Sequence, residues 1–175
     1  MTTVLVVADT HGDLSFVVRT LDAHPEIERV LHLGDHCDDA RDLEALGRVP
    51  VTAVRGNGDA GCPHGCPLDA VVTVEGHRLL LTHGHRQDVK LGLERLAAYA
   101  RLQRPPVDAV LFGHTHRPLW RVVAADGPRS PLLLANPGTA RAHAHSGTAE
   151  PSAVLLHVRP GAGPEGISAE WVLPD

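Results

Sequence analysis

Seven side chains of types that commonly bind metal ions stand where apolar stretches of the chain end. They are Asp9, His11, Asp35, Asn57, His83, His114 and His116. In three places a glycine directly precedes the polar residue, as in Gly34-Asp35. Such a glycine allows the backbone to turn sharply and to pass close to a bound group. Imidazole, carboxylate and amide ligands together suit Mn, Fe, Co, Ni or Zn.

Seven ligands are better matched to two ions that share a bridging carboxylate than to one ion. Two divalent cations with Asp9, Asp35 and a bridging hydroxide would leave about one positive charge for an anion. Paired ions of this kind can lower the pKa of a bound water and hold phosphoryl oxygens during an in-line displacement. The chemistry that fits is hydrolysis of a phosphate ester.

The elements that must position these residues begin with alternating strands and helices. Apolar periodicity predicts strands at residues 4–8, 29–33 and 50–54, with helices at 14–24 and 39–46 between them. This order is typical of a parallel sheet with crossover helices. Because the carboxyl ends of parallel strands lie along one edge of a sheet, residues far apart in sequence can converge there.

The rest of the chain is richer in strands. We expect a hairpin of residues 70–74 and 78–81, a helix with Asp88 as its N-cap that ends near Arg101, and a buried strand at 108–112. Four short strands follow at 119–124, 131–135, 153–158 and 167–172. Two packed sheets with helices outside would accommodate both halves in one domain, residues 1–175.

Composition excludes some classes of function. The net charge of -5 is spread without acidic or basic blocks, which argues against a nucleic-acid groove or a membrane-binding surface. The N-terminal residues lack a basic region before their short apolar run, so we expect a soluble protein of the cytoplasm. Cys37, Cys62 and Cys66 lack paired spacing and are expected to be free thiols.

The ordered motifs resemble those of the calcineurin-like metallophosphoesterases. They are Asp9-x-His11, Gly34-Asp35, Gly56-Asn57-x-Asp59, His83 and Gly113-His-Thr-His116. The small uncapped bacterial and archaeal phosphodiesterases of this family are also similar at residues 54–57, at 82–85 and at Val89-Lys90. The resemblance implies an α/β fold, a four-layer α/β/β/α sandwich of two mixed β-sheets flanked by helices.

The resemblance also implies a dinuclear metal-dependent phosphodiesterase, in which a metal-bridging hydroxide attacks a small phosphate ester. One ion would be held by Asp9, His11, Asp35 and His116, and the other by Asp35, Asn57, His83 and His114, with Asp35 bridging. Many relatives carry a histidine between the asparagine and the aspartate, where this chain has Gly58. Without that acid, substrates with reactive leaving groups should be favoured.

Three positions are candidates for catalytic roles. Asn57 and Asp59 frame Gly58, and Asp59 is expected to orient the Asn57 loop by hydrogen bonding. His85 follows His83 at a spacing of two residues and could act on the phosphate as a donor or acid, although a supporting or solvated role fits equally well. Arg117 and Arg141 could contact phosphate or serve solubility.

Alternative interpretations remain open at this level. A subunit of the retromer complex has this fold and serves as a scaffold, but it lacks part of the histidine set that is intact here. A phosphatase or nucleotidase acting on monoesters is a second alternative, and a homodimer is plausible. We expect the segment with Cys62, His64 and Cys66 to be a loop without metal, and His143 and His145 to be solvated. The Asn136-Pro-Gly138 turn is expected to be structural.

Overall fold

A computed structural model of the chain describes residues 1–59, 65–127, 129–141 and 150–174. Strands and α-helices follow one another in these ranges as β1 Thr2–Val7, α1 Ser15–Ala23, β2 Ile27–His32, α2 Cys37–Ala45, β3 Val51–Ala53, β4 Asp69–Val74, β5 His77–Thr82, α3 Glu94–Arg101, β6 Ala109–Phe112, β7 Leu119–Val123, β8 Leu132–Asn136, β9 Ala153–Val158 and β10 Ile167–Val172. Short 3₁₀ turns occupy His85–Gln87 and Pro164–Gly166.

The strands form two five-stranded mixed sheets. The first has the order β10-β9-β1-β2-β3, in which β1, β2 and β3 are parallel and β9 and β10 are antiparallel to their neighbours. The second has the order β4-β5-β6-β8-β7, in which β5, β6 and β8 are parallel. Each sheet therefore contains a set of parallel strands whose carboxyl ends lie along one edge.

Alternation of side chains along each strand builds the layers. Val4 and Val6 of β1 join the core between the sheets, whereas Leu5 and Val7 pack with residues of α1 and α2 on the outer face. On the second sheet, Leu80 and Val110 pack with Leu96 of α3. Full burial of such a side chain contributes about 1.5–3 kcal/mol. Helices thus cover both outer faces, which confirms the predicted four-layer sandwich.

One predicted helix is wrong at its start. Instead of beginning after Asp88, α3 begins at Glu94. Asp88 follows the 3₁₀ turn at His85–Gln87 and has a φ of 52°, in the left-handed region that a right-handed helix does not admit. The other predicted elements are present, and their ends differ from the predicted ones by at most two residues.

The expectation of three free thiols is also wrong in part. Cys37, the first residue of α2, is disulfide-bonded, and Cys66 carries a free thiol. Cys62 and His64 lie outside the described residues, as do His143 and His145. Spacing along the chain does not reveal which cysteines the fold brings together, so the sequence alone did not predict this crosslink. Within the described ranges, no helix is both long and apolar enough to cross a membrane.

Candidate metal centre

Loops from both sheets bring most of the predicted ligands to one place. Asp9 and Asp35 follow β1 and β2 of the first sheet, whereas His83 and the pair His114 and His116 follow β5 and β6 of the second. We call the residues that meet there the ligand cluster: Asp9, His11, Asp35, His83, His114 and His116. Asp9 and Asp35 are buried carboxylates, and the ring of His83 is fully buried beside them.

Distances between the side chains define two overlapping groups of possible ligands. Asp9 Oδ1 lies 3.1 Å from His116 Nε2 and 4.0 Å from His11 Nε2. His83 Nε2 lies 3.4 Å from Asp35 Oδ1 and 4.0 Å from Asp9 Oδ1. In each group the ligand atoms all lie within 4.8 Å of one another. Asp9 belongs to both groups, whereas Asp35, the expected bridge, belongs to one.

His83 is held in an orientation that suits metal binding. Its Nδ1 lies 2.8 Å from the carbonyl oxygen of Leu33, which can only accept, so Nδ1 carries the proton. Its Nε2 is buried, faces Asp9 and Asp35, and has no hydrogen-bond partner among the residues described. A buried nitrogen and two carboxylates turned towards one another are a costly arrangement that a cation between them would stabilise. These residues therefore fit a divalent ion.

The electrostatics of the cluster favour the protonation states that bind metals. Burial, then electrostatic interaction with Lys90 and with His83, lower the pKa of His114 to about 4. Burial likewise lowers the pKa of His11, in spite of the nearby carboxylates. Burial by itself would raise the pKa of Asp9, but the hydrogen bond with His116 and the electrostatic interaction with His83 lower it overall. Neutral imidazoles and an ionised carboxylate are the forms that coordinate cations.

The backbone of the ligand cluster is unusual. Positive φ angles between 47° and 67° occur at Asp9, His11, Asp35, His114 and His116. Such conformations cost of order 1–3 kcal/mol each and persist where surrounding structure enforces them. Glycine also permits positive φ, and of the three glycines that precede predicted ligands only Gly34 adopts it, at 95°.

The other two glycines allow close approach of the backbone to a carboxylate. A Cβ on Gly56 would lie 2.0 Å from Asp35 Oδ1, and one on Gly113 would lie 3.0 Å from Asp9 Oδ2. Neither position could carry a side chain without moving the carboxylate beside it. The three glycines therefore serve the same cluster in two different ways.

Asp59 holds two loops of the site together through its carboxylate. Its oxygens accept backbone N–H groups from Asp35 (3.1 Å), His36 (2.7 Å), Cys37 (2.9 Å) and Gly56 (2.7 Å). The N–H of Gly58 in turn donates to Asp35 Oδ1 at 2.8 Å. Asp59 thereby fixes the start of α2 and the loop after β3 relative to Asp35.

Asn57 and His85 differ in their relation to the cluster. Asn57 is exposed, and its side chain makes no hydrogen bond within the part of the chain that the structure describes. Within the described residues, no hydrogen bond therefore links the Asn57 side chain to the other predicted ligands. The ring centroid of His85 lies 5.4 Å from that of His83 and 6.1 Å from that of His114. Burial and then His83 lower the pKa of His85.

A buried polar network behind the cluster was missed at the sequence level. The N–H of Gly34 donates to His32 Nδ1 at 3.2 Å, so His32 Nε2 carries the proton and donates to Thr10 Oγ1 at 2.9 Å. Thr10 Oγ1 donates to Asp39 Oδ2 at 2.6 Å, and the N–H of Gly12 donates to the same oxygen at 2.8 Å. A histidine inside the apolar strand β2 was the signal that could have revealed this network.

The turn after β8 supports the ligand cluster from the other side. Asn136 Nδ2 donates to the carbonyl of Gly113 at 2.8 Å and to Thr115 Oγ1 at 3.1 Å. Thr139 Oγ1 donates to the carbonyl of Asp9 at 3.0 Å. The Asn136-Pro-Gly138 segment therefore has the expected structural role, and that role is to hold the loops that carry Asp9 and His114. Arg141 donates to the carbonyl of His11 at 2.8 Å.

Comparisons with known proteins agree with this geometry. Residues 2–161 match the family described as the calcineurin-like phosphoesterase superfamily domain. The chain is 30% identical over 143 residues to the probable metallophosphoesterase YsnB of Bacillus subtilis, covering 79% of this chain and 75% of YsnB. It is 32% identical over 146 residues to a probable metallophosphoesterase of Methanothermobacter thermautotrophicus, covering 77% and 74%. The chain therefore belongs to the calcineurin-like phosphoesterase superfamily.

The same architecture occurs in solved structures. Wild-type Vps29 of Entamoeba histolytica, complexed with Zn²⁺, superposes with a TM-score of 0.72 at 24% identity. The match covers 98% of this chain and 99% of that protein. At this level of identity, the likeness establishes the fold.

Proposed function

We propose that the protein is a dinuclear metal-dependent phosphodiesterase that hydrolyses a small phosphate ester. The observation that carries the proposal is the arrangement of His83, whose buried Nε2 faces the carboxylates of Asp9 and Asp35. Bound divalent ions would supply Lewis acidity towards the phosphoryl oxygens and towards a nucleophilic water. We retain Asn57 as a proposed ligand, whose side chain would move towards an ion bound beside Asp35.

The residues of the chain would orient the reacting groups. The carboxylate of Asp59 and the Thr10–His32–Asp39 network hold the loops that carry Asp35 and Asp9. His85 faces the histidine rings and is the proposed hydrogen-bond donor to a phosphoryl oxygen. The loops that carry Asp35 and Asp9 are fixed by hydrogen bonds before substrate arrives, which is how a site gains from proximity and orientation.

Phosphodiesters are favoured over monoesters because no side chain is available at Gly58 to protonate a poor leaving group. The N–H of Gly58 is used by Asp35 instead. The complete set of ligand side-chain types supports an enzyme over a non-catalytic scaffold. The cytoplasmic location and the possible homodimer remain predictions from the sequence.

Metal content tests the site directly. We expect the purified protein to bind two equivalents of Mn²⁺, Ni²⁺ or Zn²⁺ by elemental analysis, and His83→Gln to lose at least one. His116→Gln, at a half-buried position, provides a second variant in case His83→Gln fails to fold. The control is His24→Gln, which lies outside the ligand cluster and should retain both ions. Equal metal content in all four proteins would contradict the proposed ligand set.

Activity tests the reaction class. With Mn²⁺ or Ni²⁺ added, we expect faster hydrolysis of bis(para-nitrophenyl) phosphate than of para-nitrophenyl phosphate. A clear preference for the monoester would indicate a phosphatase. No hydrolysis of either ester by a fully metallated sample, across several metals, would support the scaffold alternative.

A further inference from the structure

A cleft of about 520 Å³ lies beside the ligand cluster. We call it the side cleft, and its lining residues are Val89, Lys90, Leu93, Phe112, Thr115 and Arg117, with Pro118 and Leu119 at one end. Thr115 stands between His114 and His116 in the chain, so one wall of the side cleft belongs to the loop that carries two cluster histidines. Its volume is in the range of small-molecule sites.

The apolar part of the side cleft is continuous with the core of the second sheet. Phe112 and Val89 are 1% and 5% exposed, and they pack in the same cluster as Leu96 of α3. A Cβ on Gly84, the residue between His83 and His85, would lie 3.0 Å from the Val89 side chain and 3.6 Å from that of Phe112. This apolar surface is therefore tightly packed, and it adjoins the ligand cluster.

Two exposed cations, Lys90 and Arg117, complete the lining. Lys90 is the only lysine of the chain. Its charge contributes to the lowered pKa of His114, which places its ammonium within electrostatic range of the ligand cluster. No carboxylate is found among the described residues that line the side cleft, although the chain as a whole has a net charge of -5.

We infer that the side cleft binds one arm of the ester, and that this arm is an aryl-type group with an anionic substituent. The inference rests on the proposed function in that the phosphate of the same ester would lie at the ligand cluster. Leu93, Pro118 and Leu119 offer accessible apolar surface to the ring, and the buried side chains of Phe112 and Val89 lie behind it. Lys90 and Arg117 offer charge to the substituent. An arm without charge would leave both cations unpaired, and a small alkyl arm would leave the apolar surface unfilled.

Binding can be measured without hydrolysis because the chain has one lysine. Reductive methylation with carbon-13 labels the amines of Lys90 and the N-terminus and preserves their charge. In metal-free protein, para-carboxyphenylphosphonate should shift the Lys90 resonance and leave that of Met1 in place. Phenylphosphonate should bind about fivefold more weakly, the size of one exposed ion pair. Equal affinity for the two phosphonates, or a Lys90 signal that does not move at saturation, would overturn the inference.

Kinetics give an independent test with the metal-loaded enzyme. We expect the ratio of kcat/KM for para-carboxyphenyl para-nitrophenyl phosphate over methyl para-nitrophenyl phosphate to fall about fivefold in Lys90→Met and in Arg117→Met. Arg121→Met, an exposed arginine of β7 outside the cleft, is the matched control and should keep the wild-type ratio. An unchanged ratio in both cleft variants would refute the assignment. If wild-type protein hydrolyses neither diester, the proposed function fails. The resonance shift of Lys90 then tests by itself whether the side cleft binds the charged aryl group.

Discussion

Replacing Asp59 by asparagine should destabilise the protein because one carboxylate serves four backbone N–H groups. Oδ1 accepts from His36 and Cys37, and Oδ2 accepts from Asp35 and Gly56. Whichever oxygen becomes an amide NH₂, two donors lose their acceptor. Hydrogen bonds to charged groups contribute roughly 1.5–3 kcal/mol each, and water will compensate part of the loss in these half-buried loops. We expect the free energy of unfolding to fall by about 3 kcal/mol.

Urea unfolding measures this change, and Asp13→Asn is the matched control. Asp13 is exposed, and its Oδ1 accepts one backbone N–H, that of Ser15. We expect the control to lose no more than about 1 kcal/mol. In Asp59→Asn, the amide resonances of Asp35 and His36 should also shift, because their hydrogen bonds are altered. A loss for Asp59→Asn no larger than that of the control would refute the positioning role.

Three further substitutions test other parts of the site. Gly56→Ala should lower the urea midpoint more than Gly47→Ala, because a Cβ at Gly56 would lie 2.0 Å from Asp35 Oδ1 whereas one at Gly47 meets no atom within 4 Å; equal midpoints would contradict this. Burial lowers the pKa of His32 from 6.5 to about 4, so the unfolded chain takes up its proton first. The free energy of unfolding should therefore be constant above pH 7 and fall by up to about 3 kcal/mol from this group as the pH drops towards 4. In acid titrations followed by circular dichroism, His32→Gln should show a shallower decline of the free energy of unfolding, to which His114 still contributes. An equally steep decline would count against the buried neutral histidine. Thr139→Val should cost about 1 kcal/mol in urea unfolding through the lost bond to the Asp9 carbonyl, and no measurable loss would make that bond dispensable.

The strand ends made much of the site predictable. Asp9, Asp35 and His83 each follow an apolar run, and parallel pairing forces such ends to one edge. The four-layer arrangement follows from the alternation in β1, where successive side chains enter different cores. These features depend on periodicity and on sheet geometry, which a sequence displays directly.

Contacts that depend on loop conformation were not predictable in the same way. The left-handed backbone at Asp88 delays α3, although the polar and apolar pattern permits an earlier start. Asn57 is exposed, and the N–H groups of Gly56 and Gly58 on either side of it donate to carboxylates. The disulfide at Cys37 arises from tertiary proximity. None of these features has a periodic signature.

The position of β1 determines when the first sheet can be completed. Residues 2–6 pair with residues 154–158 of β9 on one side, and with β2 on the other. During synthesis, β1 keeps one hydrogen-bonding edge open until residues 154–158 have left the ribosome. Such an open edge is a site of incorrect pairing, and contacts so distant in sequence form slowly. The loop carrying Asp9 is likewise held by Thr139 only after residue 139 has been added. Metal ions would therefore be acquired after the sheets assemble, rather than acting as a template for their assembly.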